Sequence, residues 1–441
     1  MKPFMKKEFL KVPKIFQHCF STSVIQNEKF SYHLLIIGGG TGGISIAAKF
    51  GSKLGKDKVA IIEPSNVHYY QPYWTLVGGG LKNVEKSRKD MSSVIPKNVK
   101  WIKDLAVKFE PDKNTIFTEK HQVEYDFLII SMGIIPNFKK IKGLPEAFQS
   151  PGICSNYSYN TVTKTPKAVK AFHSGNAIFT QPPNPIKCAG APQKILYLTD
   201  SNFRKMGKRE RANLHFCTAL DKMFSAPKYC AILEEIAKDR NINVHFHHNL
   251  IEIKPQSKEA VFEKLNSKES PKETTTMKYE MIHIVPPMSP HESLRNSKLV
   301  DSTGFLDVNK YTLQHNKYSN IFGLGDCTNV PTSKTAAAVA AQVGILKNNM
   351  IAVMEGKSLP RKYDGYSSCP LLTSLNRCVL AEFDYDLQPL ETFPFDQGKE
   401  RRSMFHLKKD LMPELYWKFF LKGYWEGPHF LRKLFHFGMS K

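Results

Sequence analysis

The sequence predicts an α/β fold of two Rossmann-like units, one inserted within the other, followed by a C-terminal extension. Three observations predict it. "YHLLIIGGGTGGISIAAKF" (32–50) runs from an apolar strand through a glycine turn into a small-residue helix. "GNAIFTQPP" and "ANLHFCTAL" read as strands of a second α/β unit. "NIFGLGD" is a late strand that returns to the first unit and precedes the helix "TAAAVAAQVGILKNNMIAVM".

In chain order, residues 1–29 form a segment of their own. The first twenty carry five lysines and one glutamate, with Phe, Leu and Ile interleaved, and lack the long apolar run of a secretory signal. They read as a basic amphipathic presequence of mitochondrial type; a basic tail without fixed structure is the alternative. Residues 30–150 hold the first part of the first unit, including the strands "KVAIIEP" and "VEYDFLIISMG". Residues 151–290 form the inserted unit. There "INVHFHHNLIEIKP" and "EAVFEKL" read as a meander, and the polar connector "NSKESPKETTTM" leads to the strand "YEMIHIVPP". Residues 291–364 complete the first unit, and 365–441 are the extension.

With 441 residues and 41% hydrophobic content, the chain can bury the cores of two or three domains. The net charge of +23, from 63 basic against 40 acidic residues, suits anionic ligands, a membrane surface or nucleic acid. Zinc-finger spacing, an RNP signature and an Arg-rich tract are all missing, so nucleic acid is not expected. Eight cysteines are too few for a secreted disulfide scaffold, and no pair has CxxC spacing, so no metal site is expected. No run reaches 18 apolar residues, so no spanning helix is expected either.

The chemistry begins at Gly38, Gly40 and Gly43, a GxGxxG pattern that also contains Thr41 and Gly42. It follows a strand and opens a helix, as dinucleotide binding requires. Gly38 permits the turn, Gly40 lets backbone approach a pyrophosphate, and Gly43 lets the helix pack on the sheet. Glu63, twenty residues past Gly43, suits a ribose diol and would repel a 2′-phosphate. A purely structural glycine turn leaves Glu63 unexplained. "HYYQP", from His68 to Gln71 and the following proline, is placed to close over the cofactor. "HFHH" (245–248) alternates in a strand and reads as a polar sheet edge rather than a ligand set.

NAD and FAD share this motif. The segment "NIFGLGDCTNVPTSKTAAAVAAQ" resembles the second FAD fingerprint of the two-dinucleotide-binding-domain flavoproteins of the disulfide-reductase type. The resemblance implies FAD, with Asp326 orienting its ribityl and phosphate region and the helix from Thr335 aimed at the isoalloxazine. Lys334 would steady charge on the reduced flavin, or be an ordinary solvated lysine. "IISMG", ending at Gly133, resembles the family's crossover motif. Most such proteins carry a second glycine fingerprint for NAD(P)H, but here the inserted unit reads "AIFTQPPNPIKCAGAPQK". Cys188 stands at or near a helix start, which lowers a thiol pKa, and Lys187 and Lys194 add positive potential.

Longer stretches resemble the sulfide:quinone oxidoreductases of mitochondrial type: "YYQPYWTLVGGG", "NPIKCAGAPQKILYL", "KYDGYSSCPLLTSLNRCVLAEFDY" and "YWEGPHFLRKLFHFGMS". With the organisation above they cover about residues 32–440. The resemblance implies that Cys188 and Cys369 are the redox pair, bridged at rest by a disulfide or an extra sulfur. Hydrosulfide would attack at Cys369 and leave a persulfide there. Cys188 would depart as a thiolate and donate into the flavin. The sulfane sulfur would pass to glutathione, sulfite or another thiol, and the electrons to ubiquinone. Two buried structural thiols are the alternative. Cys154 is left out of the mechanism.

The last 41 residues contain ten aromatic residues, and nine Lys or Arg against three Asp or Glu. Such segments make interfacial helices, or an amphipathic pair packed on the first unit. The expectation is a monotopic protein on the matrix side of the mitochondrial inner membrane, with Phe383, Phe405 and Trp417 walling a quinone channel; a homodimer is left open. The rival readings are an NADH:quinone oxidoreductase, a non-catalytic FAD-binding redox sensor, and a basic peripheral membrane protein with a vestigial nucleotide site.

Overall fold

The computed structural model describes residues 28–439. Residues 1–27, and with them the presequence reading and Cys19, lie outside the described residues.

The first unit is built on a seven-stranded sheet. Its parallel part runs Val99–Ile102, Val59–Ile62, Glu28–Ile37 and His121–Ile130. The far edge of His121–Ile130 is shared. Thr115–Thr118 pairs antiparallel with its first half, and Ile321–Gly323 pairs parallel with its last three residues. That late pairing carries the chain back to the glycine turn after nearly 200 residues. Leu34, Leu35, Ile36, Ala60 and Ile61 are fully buried, as expected for parallel strands covered on both faces. The helices Thr41–Leu54 and Ala336–Met354 pack on each other over this sheet.

The inserted unit holds a five-stranded parallel sheet, in the order Ile153–Cys154, Met281–His283, Gly175–Gln181, Ala212–Thr218, Ile242–His245. Two sequence expectations change here. The stretch 242–254 is not one strand of a meander. Ile242–His245 closes the parallel sheet, the chain turns at His247 with φ +59°, and His248–Lys254 opens a separate antiparallel sheet. His245 is therefore an edge residue whose ring meets His215, Nε2 to Nδ1 at 3.0 Å. The "connector" also contains a strand, Thr274–Lys278, paired with Glu259–Lys264. Its exposed threonines hid it among polar residues.

A hairpin, Ser367–Leu372 with Cys378–Phe383, follows the first unit and is buried along its whole length. The remainder is helical. Arg402–Phe420 is a run of α-helical and π-helical turns, with π segments at Leu407–Leu411 and Tyr416–Phe420 on either side of Pro413. A last helix spans His429–Phe435. Among the described residues one helix, Ala336–Met354, is long and apolar enough to cross a bilayer. More than half of it is buried in the first unit, so it is a core helix, and its apolar content reflects burial on most sides.

Candidate active site

The glycine turn is shaped by close backbone contacts. Gly38 takes φ +101° and passes the Ser131 carbonyl, where a side chain would fall 2.5 Å from that oxygen. A side chain on Gly43 would lie 1.8 Å from the Gly38 carbonyl oxygen. Gly42 sits against Ser131 and Leu324. Gly40 differs, because a side chain there would meet no atom within 4 Å and its peptide borders open space. Glu63 accepts from the Gly39 N–H at 2.6 Å and the Ser65 N–H at 2.7 Å. Burial pushes its carboxyl up, and these two donors pull it back.

Further around the turn, Gly133 takes φ +66° and likewise borders open space. Asp326 follows the returning strand. Its carboxylate accepts no hydrogen bond among the described residues, although burial pushes its pKa up. The Lys187 and Lys334 ammonium groups counter that push. Open peptide at two glycines, the start of a long helix and an available carboxylate together fit a dinucleotide. Lys334 is not a solvated lysine. Its Nζ is buried and donates to the carbonyls of Thr328 at 2.6 Å and Val330 at 3.3 Å. The Thr335 hydroxyl caps the helix Ala336–Met354 by accepting from the Ala338 N–H at 3.1 Å.

The two cysteines converge on that helix start. Cys188 N–H donates to the Lys334 carbonyl at 2.8 Å, so residues 187 and 334 pair as a short parallel bridge. Ser367 Oγ meets Thr335 Oγ1 at 3.1 Å and brings in the hairpin strand that carries Cys369. The two sulfurs lie 3.3 Å apart. "KCAGAP" explains how they come so close. Cys188 takes φ +51°, a left-handed backbone uncommon for a residue with a side chain. Gly190 lies against the partner strand, where a side chain would fall 2.7 Å from Cys369 Sγ and 2.6 Å from Leu371.

The helix after Cys188 begins only at Ala191, and its end is not what touches the sulfur. The Lys194 ammonium does, at 3.2 Å and buried. The Cys188 thiol is held well below its ordinary range, first by the hydrogen bond from Cys369 and then, against burial, by Lys194. Cys369 moves the opposite way because it supplies that hydrogen bond. For Lys194, burial opposes the charge, and the negative sulfurs overcome it and raise its pKa. Lys187 reaches away, to the Gln71 side-chain oxygen at 2.9 Å.

Sequence reading missed Lys408. It comes from the first π segment, is buried, and donates to the Pro72 carbonyl at 3.1 Å. Burial and repulsion by Lys194 lower it to about 8, while Cys188, Cys378 and Cys369 pull the other way. No local signal marks it, except that a lysine on the inner face of a helix next to proline is unusual. Cys154 is buried with its thiol pushed up to about 12, consistent with an inert side chain.

The three aromatic residues expected to wall a channel sit on three different elements. Phe383 is enclosed in the hairpin against Phe224. Phe405 is buried on Arg402–His406. Trp417 lies against His68 and Tyr70, with the Lys89 ammonium over its ring. An apolar groove of about 550 Å³ lies on the outer helix, lined by Met404, Leu407 and Leu411 with His406 and Asp410.

Comparison with known proteins agrees with this geometry. The pyridine nucleotide-disulphide oxidoreductase family model matches residues 32–172. The mitochondrial sulfide:quinone oxidoreductase of Mus musculus is 54% identical over 413 residues, covering 93% of this chain and 91% of its own. That of Dictyostelium discoideum is 47% identical over 402 residues, covering 90% and 88%. The solved structure of the Aquifex aeolicus sulfide:quinone oxidoreductase has a TM-score of 0.75 over 93% of this chain and 96% of that one; at 19% identity this is a likeness of fold. The chain therefore belongs to the mitochondrial sulfide:quinone oxidoreductases, FAD-carrying enzymes that oxidise sulfide with a quinone as electron acceptor.

Proposed function

We propose that Cys369 receives the sulfur and Cys188 is the leaving thiolate. The observation that carries this is the asymmetry of the pair: Lys194 Nζ lies 3.2 Å from Cys188 Sγ, and the Cys188 thiol is held well below its ordinary range while that of Cys369 is raised. A gap of 3.3 Å is longer than a disulfide bond. Two S–S bonds of about 2.05 Å meeting at one bent sulfur span about that distance, so the spacing matches a bridge with one extra sulfur, while a direct disulfide needs the two sulfurs to move closer. With the two cysteines joined as a direct disulfide, hydrosulfide attacks Cys369 Sγ, the S–S bond to Cys188 breaks, and a persulfide forms on Cys369. Cys188 leaves as a thiolate beside Lys194 and does not need a proton.

FAD, bound at residues 38–43 and 326–335, supplies two-electron acceptance and delivery to quinone. A thiol such as glutathione, or sulfite, then takes the sulfane sulfur. For a thiol acceptor, one hydrogen sulfide, one thiol and one quinone give one persulfide of that thiol and one quinol. Two hydrogens and two electrons pass from sulfur to the quinone, and no other oxidant is needed. Lys194 and Lys408 give the pocket a positive field that draws hydrosulfide, sulfite and thiolates, all anions.

The quinone is a lipid-soluble ubiquinone, and the enzyme is monotopic, on the matrix face of the inner membrane. Support comes from the last helix, which is turned inside out. Phe430 and Leu434 are 75% and 58% exposed, and Phe437 just beyond is 88% exposed. Arg432 between them is 1% exposed and lies over the Tyr366 ring. Of the eleven large apolar side chains exposed among the described residues, seven lie between Leu411 and Met439, so the exposure is concentrated in one place. A bilayer interface covers such a face, and Lys433 and Lys422 beside it suit anionic headgroups.

Anaerobic sulfide titration of detergent-solubilised wild type, Cys188→Ser and Cys369→Ser tests the sulfur chemistry. Long-wavelength charge-transfer absorption, flavin bleaching and recovery with short-chain ubiquinone are expected in wild type alone. Bleaching by NADH, with sulfide inert, would refute it.

A further inference from the structure

His68 and Tyr416 belong to no step described so far, yet both are almost fully buried against the glycine turn. His68 Nδ1 lies 2.9 Å from the Gly39 carbonyl and its Nε2 lies 2.6 Å from the Tyr416 hydroxyl. The same hydroxyl lies 2.9 Å from Thr41 Oγ1. The Tyr416 ring stacks on Tyr70 at 4.1 Å. Tyr416 comes from the second π segment, 375 residues after Thr41.

The chemistry of the partners orients every hydrogen in this chain. The Gly39 carbonyl can only accept, so His68 Nδ1 carries a hydrogen. Burial lowers the His68 pKa to about 4, which leaves the ring neutral and Nε2 an acceptor. Tyr416 must then donate to Nε2, and its oxygen is left to accept from Thr41.

We infer that Tyr416 is a positioning residue for the cofactor: from the C-terminal helix it latches the 38–43 turn by donating to His68 and accepting the hydroxyl hydrogen of Thr41. The inference rests on FAD lying against that turn. Its consequence is specific. The Thr41 hydroxyl hydrogen is committed to Tyr416, so the pyrophosphate is met by backbone N–H groups of the turn rather than by that hydroxyl. Cofactor retention then depends on a helical run that also exposes Leu411 and Phe419.

The test uses full-length, flavin-loaded protein diluted into detergent buffer, with the fluorescence of freed FAD as readout. Tyr416→Phe keeps the ring stack and removes only the hydroxyl. Tyr416→Phe and Thr41→Val should each release FAD about 10-fold faster than wild type. The double variant should be no faster than either alone, and Thr41→Ser should stay near wild type. Wild-type release from Tyr416→Phe would overturn the latch. Additive, about 100-fold release in the double variant would also overturn it, because Thr41 would then act on the phosphate directly. Wild-type protein purified without flavin would instead overturn the cofactor assignment beneath it.

Discussion

Replacing Lys194 by Met tests what the ammonium does for Cys188. The two atoms lie 3.2 Å apart with the lysine 3% exposed. At an effective dielectric of about 20, unit charges at that distance attract by about 5 kcal/mol. Much of this offsets the cost of burying both charges. A single hydrogen bond to a charged group leaves about 1.5–3 kcal/mol net, equivalent to about 10- to 150-fold in rate. Anaerobic stopped-flow bleaching of the flavin by sulfide at neutral pH should slow by that factor. Because the Cys188 pKa is held well below its ordinary range in the wild type, its thiolate persists to lower pH than that of an ordinary thiol. In Lys194→Met the requirement moves up, so the variant's rate should climb with pH across a range where the wild type is flat. Lys194→Arg keeps the charge and should recover part of the rate. Met has nearly the length of Lys, so packing survives, and flavin content reports the fold. Bleaching by Lys194→Met within twofold of wild type would refute the assignment of Cys188 as the leaving thiolate.

The other predictions separate the two halves of the site. Gly43→Ala places a methyl where the Gly38 oxygen sits, and visible absorbance should show protein lacking flavin. Gly190→Ala pushes on Cys369 and Leu371 instead, so flavin should remain while sulfide bleaching falls at least 10-fold. Lys408 loses its charge as pH rises through about 8, so the wild-type bleaching rate should fall on that limb, and Lys408→Met should start low and lack it. Replacing Phe430, Leu434 and Phe437 together by Ser removes roughly 1 kcal/mol of shallow insertion each. Binding to anionic vesicles, read by sedimentation, should drop by about 100-fold, with the melting temperature unchanged because all three side chains face outward.

The sequence by itself determined the parts whose physics is local. A glycine turn between an apolar strand and a helix can be read from a dozen residues, because Gly43 packs against Gly38 within the same turn, although the Ser131 carbonyl that crowds Gly38 comes from the end of the neighbouring strand. Strand and helix periods, the returning strand at 321 and the two isolated cysteines are legible for the same reason. The tertiary structure alone decided which charges touch the sulfurs. Lys194 and Lys187 both looked like general positive potential. The helix turns one onto Cys188, and the loop sends the other to Gln71. Lys408, Tyr416 and Arg432 lie more than 200 residues along the chain from Cys188 or Thr41, in a segment whose composition announces only aromatic and basic residues. Whether such a side chain meets lipid, solvent or a buried sulfur depends on the rotation of its helix. Here π turns either side of Pro413 set that rotation, and composition does not encode it. The polar strand at 274–278 was illegible for a related reason, because its pairing with Glu259–Lys264 satisfies the backbone while its side chains stay largely in water.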